Sequence, residues 1–167
     1  LLEIYGTPDP LQINGLGGSK SHTSKFMSVA PPTKDGIDAE YTFAQIGIDE
    51  ATVDWSSNCG NLTSAIGPFA MYKGIIEPKE PTTTAKLYNT NTDKVITQEI
   101  PVRDCEPDVY GDYKIDGVPG TGAKVTSQFP DPAGSRTGAL LPTGDPVNTV
   151  TIENEEIEVS IVDSTNL

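Results

Sequence analysis

The chain has 167 residues, 35% apolar and 21% charged, with 16 glycines, 14 prolines and a formal charge of −13. That length accommodates one domain with its own core, and the many turn residues account for the modest apolar share. An acidic field of this size repels phosphate backbones and weighs against a nucleic-acid partner, and the absence of a run of about 18 apolar residues weighs against a membrane span.

Residues 1–5 (LLEIY) are apolar and stop at Gly6-Thr7-Pro8-Asp9-Pro10, a helix end followed by a turn. Residues 25–29 predict a short strand closed by Pro31-Pro32. Residues 41–55 (YTFAQIGIDEATVDW) alternate in character and predict two strands with a turn near Asp49-Glu50. Residues 61–76 (NLTSAIGPFAMYKGII) carry apolar side chains at helical spacing, with Lys73 the one charge in the run. A helix apolar on every side belongs inside a domain. Proline in a helix interior costs about 3 kcal/mol, so Pro68 requires a kink or a short first turn. Further strands are predicted over 84–89, 94–102, 112–118, 123–129 and 149–162, the last bent at Glu155-Glu156. No repeat of fixed period occurs. Many strands and one buried helix predict an α+β fold, a curled and mostly antiparallel sheet wrapped around a central helix.

The glycine-rich stretch GLGGSKSHTSK, residues 15–25, resembles a phosphate loop only superficially. A Walker loop ends in Gly-Lys-Ser/Thr so that backbone amides ring the phosphate and the lysine reaches in. Gly18-Ser19-Lys20-Ser21 lacks that pair, as does the segment from Gly117 to Lys124, and neither leads into a helix. Lys25 has two readings: an exposed lysine at a strand end, or a cleft-edge base whose pKa partial burial lowers. Cys59, in Ser56-Ser57-Asn58-Cys59-Gly60-Asn61, is either a small buried hydrophobe or a thiol facing the unpaired amides of a helix start. Cys105 sits among acids that disfavour a thiolate. His22, the lone histidine, cannot build a triad, and no His/Cys cluster has metal-ligand spacing, so no metal is expected and most hydrolase and zinc readings fall away. Reduced thiols in a cytoplasmic protein are the expected state, which leaves the sequon Asn61-Leu62-Thr63 without a role.

Several stretches occur together in one order: Gly15-Leu16-Gly17-Gly18-Ser19, Thr23-Ser24-Lys25, Phe43-Ala44-Gln45, Asn58-Cys59-Gly60-Asn61 and Gly67-Pro68-Phe69-Ala70. They continue with Asp116-Gly117-Val118-Pro119-Gly120-Thr121, Asp131-Pro132-Ala133-Gly134-Ser135 and Leu141-Pro142-Thr143-Gly144. In this the chain resembles the PrpF family, isomerases of methylaconitate, methylitaconate, aconitate and oxalomesaconate, over nearly its whole length. Asn14 departs from the aspartate expected before the glycine turn. The resemblance implies a diaminopimelate epimerase-like fold of two pseudo-symmetric halves. Residues 1–167 then form most of the first half, without its opening strand and without the second half. It also implies cofactor-independent proton abstraction from a small unsaturated di- or tricarboxylate. Lys25 and Cys59 are the implied catalytic residues, and Gly17, Gly18, Thr23, Ser24, Gly60 and Asn61 the implied substrate-binding ones. The partners expected are that substrate and the second half of the same protein, and a homo-oligomer is compatible with the sequence. The alternatives are an amino-acid racemase or epimerase of the same fold, and a non-catalytic binding domain that retains it.

Overall fold

The computed structural model describes residues 1–134 and 136–164; Ser135, part of one matching stretch, and the Asn166-Leu167 end lie outside the described residues. Helix α1 (Leu2–Tyr5) ends at Gly6, whose left-handed φ of +77° suits glycine and fulfils the sequence signal. A 3₁₀ turn (Ser21–Thr23) then feeds β1 (Lys25–Ala30). Strand β2 (Ala39–Ile46) runs antiparallel to β1, with Lys25 opposite Gln45, and β3 (Val53–Asp54) folds back onto its far end. The turn between β2 and β3 contains Asp49-Glu50, as predicted.

The long hairpin is the best example of pattern dictating structure. Strands β4 (Thr82–Asn89) and β5 (Lys94–Arg103) alternate residue by residue, burying Thr83, Ala85, Leu87 and Asn89 on one and Ile96, Gln98, Ile100 and Val102 on the other. Strand β4 joins β2 in parallel, Ala39 opposite Leu87; every other pairing among the described strands is antiparallel. The two short strands β6 (Glu106–Pro107) and β7 (Thr126–Gln128) pair with β5. A separate hairpin, β8 (Asn148–Ile152) and β9 (Glu155–Val159), turns at Glu153-Asn154, both with left-handed φ.

Between β3 and β4 lie two helices, α2 (Gly60–Thr63) and α3 (Ile66–Tyr72), where the sequence predicts one. The break that Pro68 requires is fixed from outside the segment. Gln98 of β5, fully buried, donates from Nε2 to the Thr63 carbonyl at 2.8 Å and accepts from the Gly67 amide at 3.0 Å through Oε1. One side chain thus serves an end of each helix, groups that a continuous helix would pair internally. Pro68 falls in the first turn of α3, where its missing N–H leaves no bond unmade, so the short first turn is the solution adopted. Helix α3 touches β1, β2, β5 and β6, strands from both ends of the sheet, and such contact requires the sheet to curl into a half-barrel. Ile66, Ala70 and Met71 share one core with Ala85, Leu87, Ile96 and Ile100.

Four expectations are corrected. The helix is not enclosed on all sides: Phe69 and Tyr72 of α3 stand exposed. Residues 112–118 form no strand, because Tyr113, Ile115 and Val118 point outward with no surface to cover, and Tyr113 makes a single bridge to Gly122. Residues 123–129 shorten to β7, and the bend expected at Glu155-Glu156 is the Glu153-Asn154 hairpin turn.

Candidate active site

Lys25 begins β1, and Cys59 is the residue immediately before α2. The fold brings them together: Lys25 Nζ donates to Cys59 Sγ at 3.3 Å. Cys59 is the N-cap of α2. Its Sγ accepts from the Leu62 amide at 3.5 Å, and its carbonyl accepts from the Thr63 amide at 3.0 Å and the Thr63 hydroxyl at 2.6 Å. A sulfur in the place usually taken by a serine or aspartate oxygen is fixed by the same geometry.

The lysine and the turn that leads into it are held through backbone carbonyls. The Tyr5 hydroxyl donates to the Lys25 carbonyl, and burial pushes that phenol's pKa up, keeping it the donor. Gln45 Nε2 donates to the Ser21 and Ser24 carbonyls, both at 2.9 Å, closing the 3₁₀ turn at its start and exit. The Ile46 amide donates to the Ser24 carbonyl as well, at 2.9 Å. Inside the glycine-rich loop, Gln12 is buried and its Oε1 accepts from the Ser19 amide and the Ser24 hydroxyl, each at 2.8 Å. Gly17 is glycine for a packing reason: a Cβ there would come within 2.2 Å of the Gln12 amide carbon. A Cβ on Gly18 would come within 2.4 Å of the Thr23 hydroxyl.

Beside Lys25 and Cys59 opens a pocket of about 350 Å³, lined by His22, Thr23, Lys25, Cys59, Asn61 and Leu62. In a chain with 24 acidic residues, none of these six is acidic. The pocket therefore offers an anion a local surface unlike the global field. Of the residues expected at the site, Lys25, Cys59, Thr23 and Asn61 line this pocket, whereas Gly17, Gly18, Ser24 and Gly60 do not. The first three of these shape the turn that delivers Lys25, and Gly60 opens α2 beside Asn61 with clear space where a side chain would stand. Leu62 lines the pocket without having been singled out, His22 lines it although it was set aside as unable to build a triad, and Gln12 and Gln45 support it. The motif Phe43-Ala44-Gln45 carried the signal for Gln45, and Gln12 left one too, a polar residue between Leu11 and Ile13. The two cysteines are free thiols, Cys59 buried and Cys105 exposed. Among the described residues, no group of three or more His, Cys, Asp or Glu could hold a metal, and no helix is long and apolar enough to cross a membrane.

Comparison with known proteins identifies the relatives of this chain. The chain is 45% identical over 166 residues to 3-methylitaconate isomerase of Eubacterium barkeri, covering 99% of this chain and 44% of that protein. It is 39% identical over 164 residues to 4-oxalomesaconate tautomerase of Pseudomonas putida, covering 98% and 44%. It is 38% identical over 157 residues to 2-methyl-aconitate isomerase of Cupriavidus necator, covering 89% and 40%. The crystal structure of methylitaconate-delta-isomerase superposes with a TM-score of 0.79 at 45% identity, over 97% of this chain and 42% of that one. The chain thus spans less than half the length of the relatives it matches. The PrpF protein family model matches residues 1–167, and the chain belongs to the PrpF family.

Proposed function

We propose that this chain supplies one wall of the active site of a cofactor-independent isomerase, which moves a proton and a double bond in a small unsaturated di- or tricarboxylate. The observation that carries the reading is the Lys25–Cys59 hydrogen bond at the edge of an acid-free pocket. A proton on a carbon allylic to a C=C conjugated with a carboxylate is removable because the charge left behind spreads into a dienolate. Lys25 acts as the base, being the one amine in the lining, and the proton returns at the other end of the allyl system or after rotation. Cys59, in hydrogen-bond contact with Nζ, is the second acid/base group. Asn61, at the start of α2, holds a substrate carboxylate together with Thr23 and His22 of the same lining. The exposed outer face of α3 and the length of the relatives support a second half that completes the pocket in a diaminopimelate epimerase-like arrangement.

The test is proton NMR in D₂O on a full-length protein containing this segment, with aconitate, methylaconitate and methylitaconate in turn. Deuterium is expected at the allylic carbon of one of them, and Lys25→Ala is expected to abolish the exchange. Full exchange in Lys25→Ala refutes the base assignment. Residues 1–167 alone are expected to give no turnover, because the facing wall is missing.

A further inference from the structure

Lys25 Nζ and Cys59 Sγ pair a nucleophilic amine with an oxidisable sulfur at 3.3 Å. Although Cys59 is buried, it borders the open pocket of about 350 Å³, so a molecule as small as a peroxide reaches it. The two atoms are held from separate elements, the sulfur by the Leu62 amide of α2 and the lysine by Tyr5 and the turn that Gln45 closes. No second cysteine lines the pocket, and Cys105 lies exposed between β5 and β6. A sulfenic acid formed at Cys59 therefore meets an amine before it meets a thiol.

We propose that Cys59 and Lys25 form a reversible sulfenamide cross-link when peroxide enters the pocket. In the first step Sγ attacks a peroxide oxygen: an S–O bond forms, the O–O bond breaks and water leaves. Sulfur gives up two electrons and the peroxide takes them. In the second step the Lys25 amine attacks that sulfur. An N–S bond forms, the S–O bond breaks, and the departing hydroxide takes a proton from nitrogen to leave as a second water. The cross-linked chain is lighter than the reduced one by two hydrogen atoms. Groups held in contact react at effective concentrations of order 10⁵ M and above, which favours the amine over a second peroxide. Thiol reverses the link: its sulfur attacks Cys59, the N–S bond breaks, and its proton restores the Lys25 amine. A second thiol then releases Cys59 from the mixed disulfide. The link spares Cys59 from irreversible oxidation. On the reading of these two residues as the proton-transfer pair, it also switches both off together.

The experiment uses the 167-residue chain carrying Cys105→Ser, so that no disulfide imitates the mass change. The protein is treated with hydrogen peroxide, denatured, alkylated, digested with trypsin and examined by mass spectrometry. The expected result is loss of cleavage after Lys25 and one species joining the Lys25 and Cys59 peptides, which dithiothreitol separates. Lys25→Arg keeps the positive charge but has no free amine, so the cross-link is lost and Cys59 proceeds to the sulfinic acid; Lys20→Arg keeps the cross-link. Recovery of sulfinic acid at Cys59 in the parent with Lys25 still cleaved would overturn the proposal, as would a link to Lys20 instead. None of these readouts uses turnover, so the cross-link and the isomerase reading stand or fall separately.

Discussion

Alanine at position 67 tests the junction that places Cys59. A methyl group there would lie 2.3 Å from Ile100 Cδ1 and 2.5 Å from Gln98 Oε1. Both atoms end side chains, yet neither chain has room to withdraw, because Ile100 and Gln98 are fully buried. Gln98 is also fixed by the Gly67 amide at 3.0 Å and by Thr63 and Ser127, each at 2.8 Å. Helix propensity favours alanine over glycine by about 1 kcal/mol in a helix interior, and less in a first turn. Overpacking opposes it by about 1–3 kcal/mol, and each hydrogen bond lost by a displaced Gln98 adds about 1 kcal/mol. The net expectation is a loss of about 2 kcal/mol. With a urea slope of about 1–3 kcal/mol per molar, the unfolding midpoint should fall by roughly 1 M. Gly60→Ala is the control, since a Cβ there meets nothing within 4 Å and should change stability by no more than about 0.5 kcal/mol. A Gly67→Ala chain as stable as its parent would show that the junction yields, and Gln98 would lose its role as the clamp between the helices.

Acid should unfold the chain partly through Glu40, whose carboxyl the Thr33 hydroxyl and amide hold below the usual carboxylate range. A depressed carboxyl contributes stability that is complete above about pH 5 and is lost as pH falls through its folded value, so Thr33→Val should bring acid unfolding to higher pH. Circular dichroism across the acid range reads this, and coincident curves would refute it. Gln45→Met keeps the bulk of the side chain and removes both donors. Hydrogen exchange at the Thr23 amide should accelerate while the Thr63 amide in α2 stays protected, and unchanged Thr23 exchange would mean that the turn holds without the clamp.

Where one face of a strand was buried, the sequence was easy to read. Strands β4 and β5 alternate with hardly an exception, and residues 112–118 show the limit of that signal. Their apolar side chains alternate as well, but alternation predicts a strand only when a partner sheet receives the apolar face, and none does. Pro68 signalled an interruption of the helical run, but the clamp that fixes it, Gln98, was invisible because it lies far along the chain from Thr63 and Gly67. Gln12 inverts the usual rule: it is buried while its neighbours Leu11 and Ile13 are exposed, because the loop folds around its amide rather than around an apolar group. At the site, Lys25 and Cys59 stood out through their local surroundings, but their contact did not, since it depends on how β1 and the α2 segment meet. The glycines of GLGG were legible as a turn. That Gly17 makes room for Gln12 could be seen only in three dimensions.

The parallel pairing of β2 with β4 has a consequence for the order in which the chain assembles. Tyr41 and Asn89, joined by a hydrogen bond at 3.0 Å in that pairing, are 48 residues apart in sequence. Closing so long a loop costs more entropy than closing either neighbouring hairpin, and the cost is recovered only once non-local contacts form. The β1–β2 and β4–β5 hairpins are thus the units that form early, and their joining is the late event. Cys59 lies on the connection between them, 34 residues from Lys25, so its contact with that lysine closes a shorter loop than the seam between β2 and β4 does.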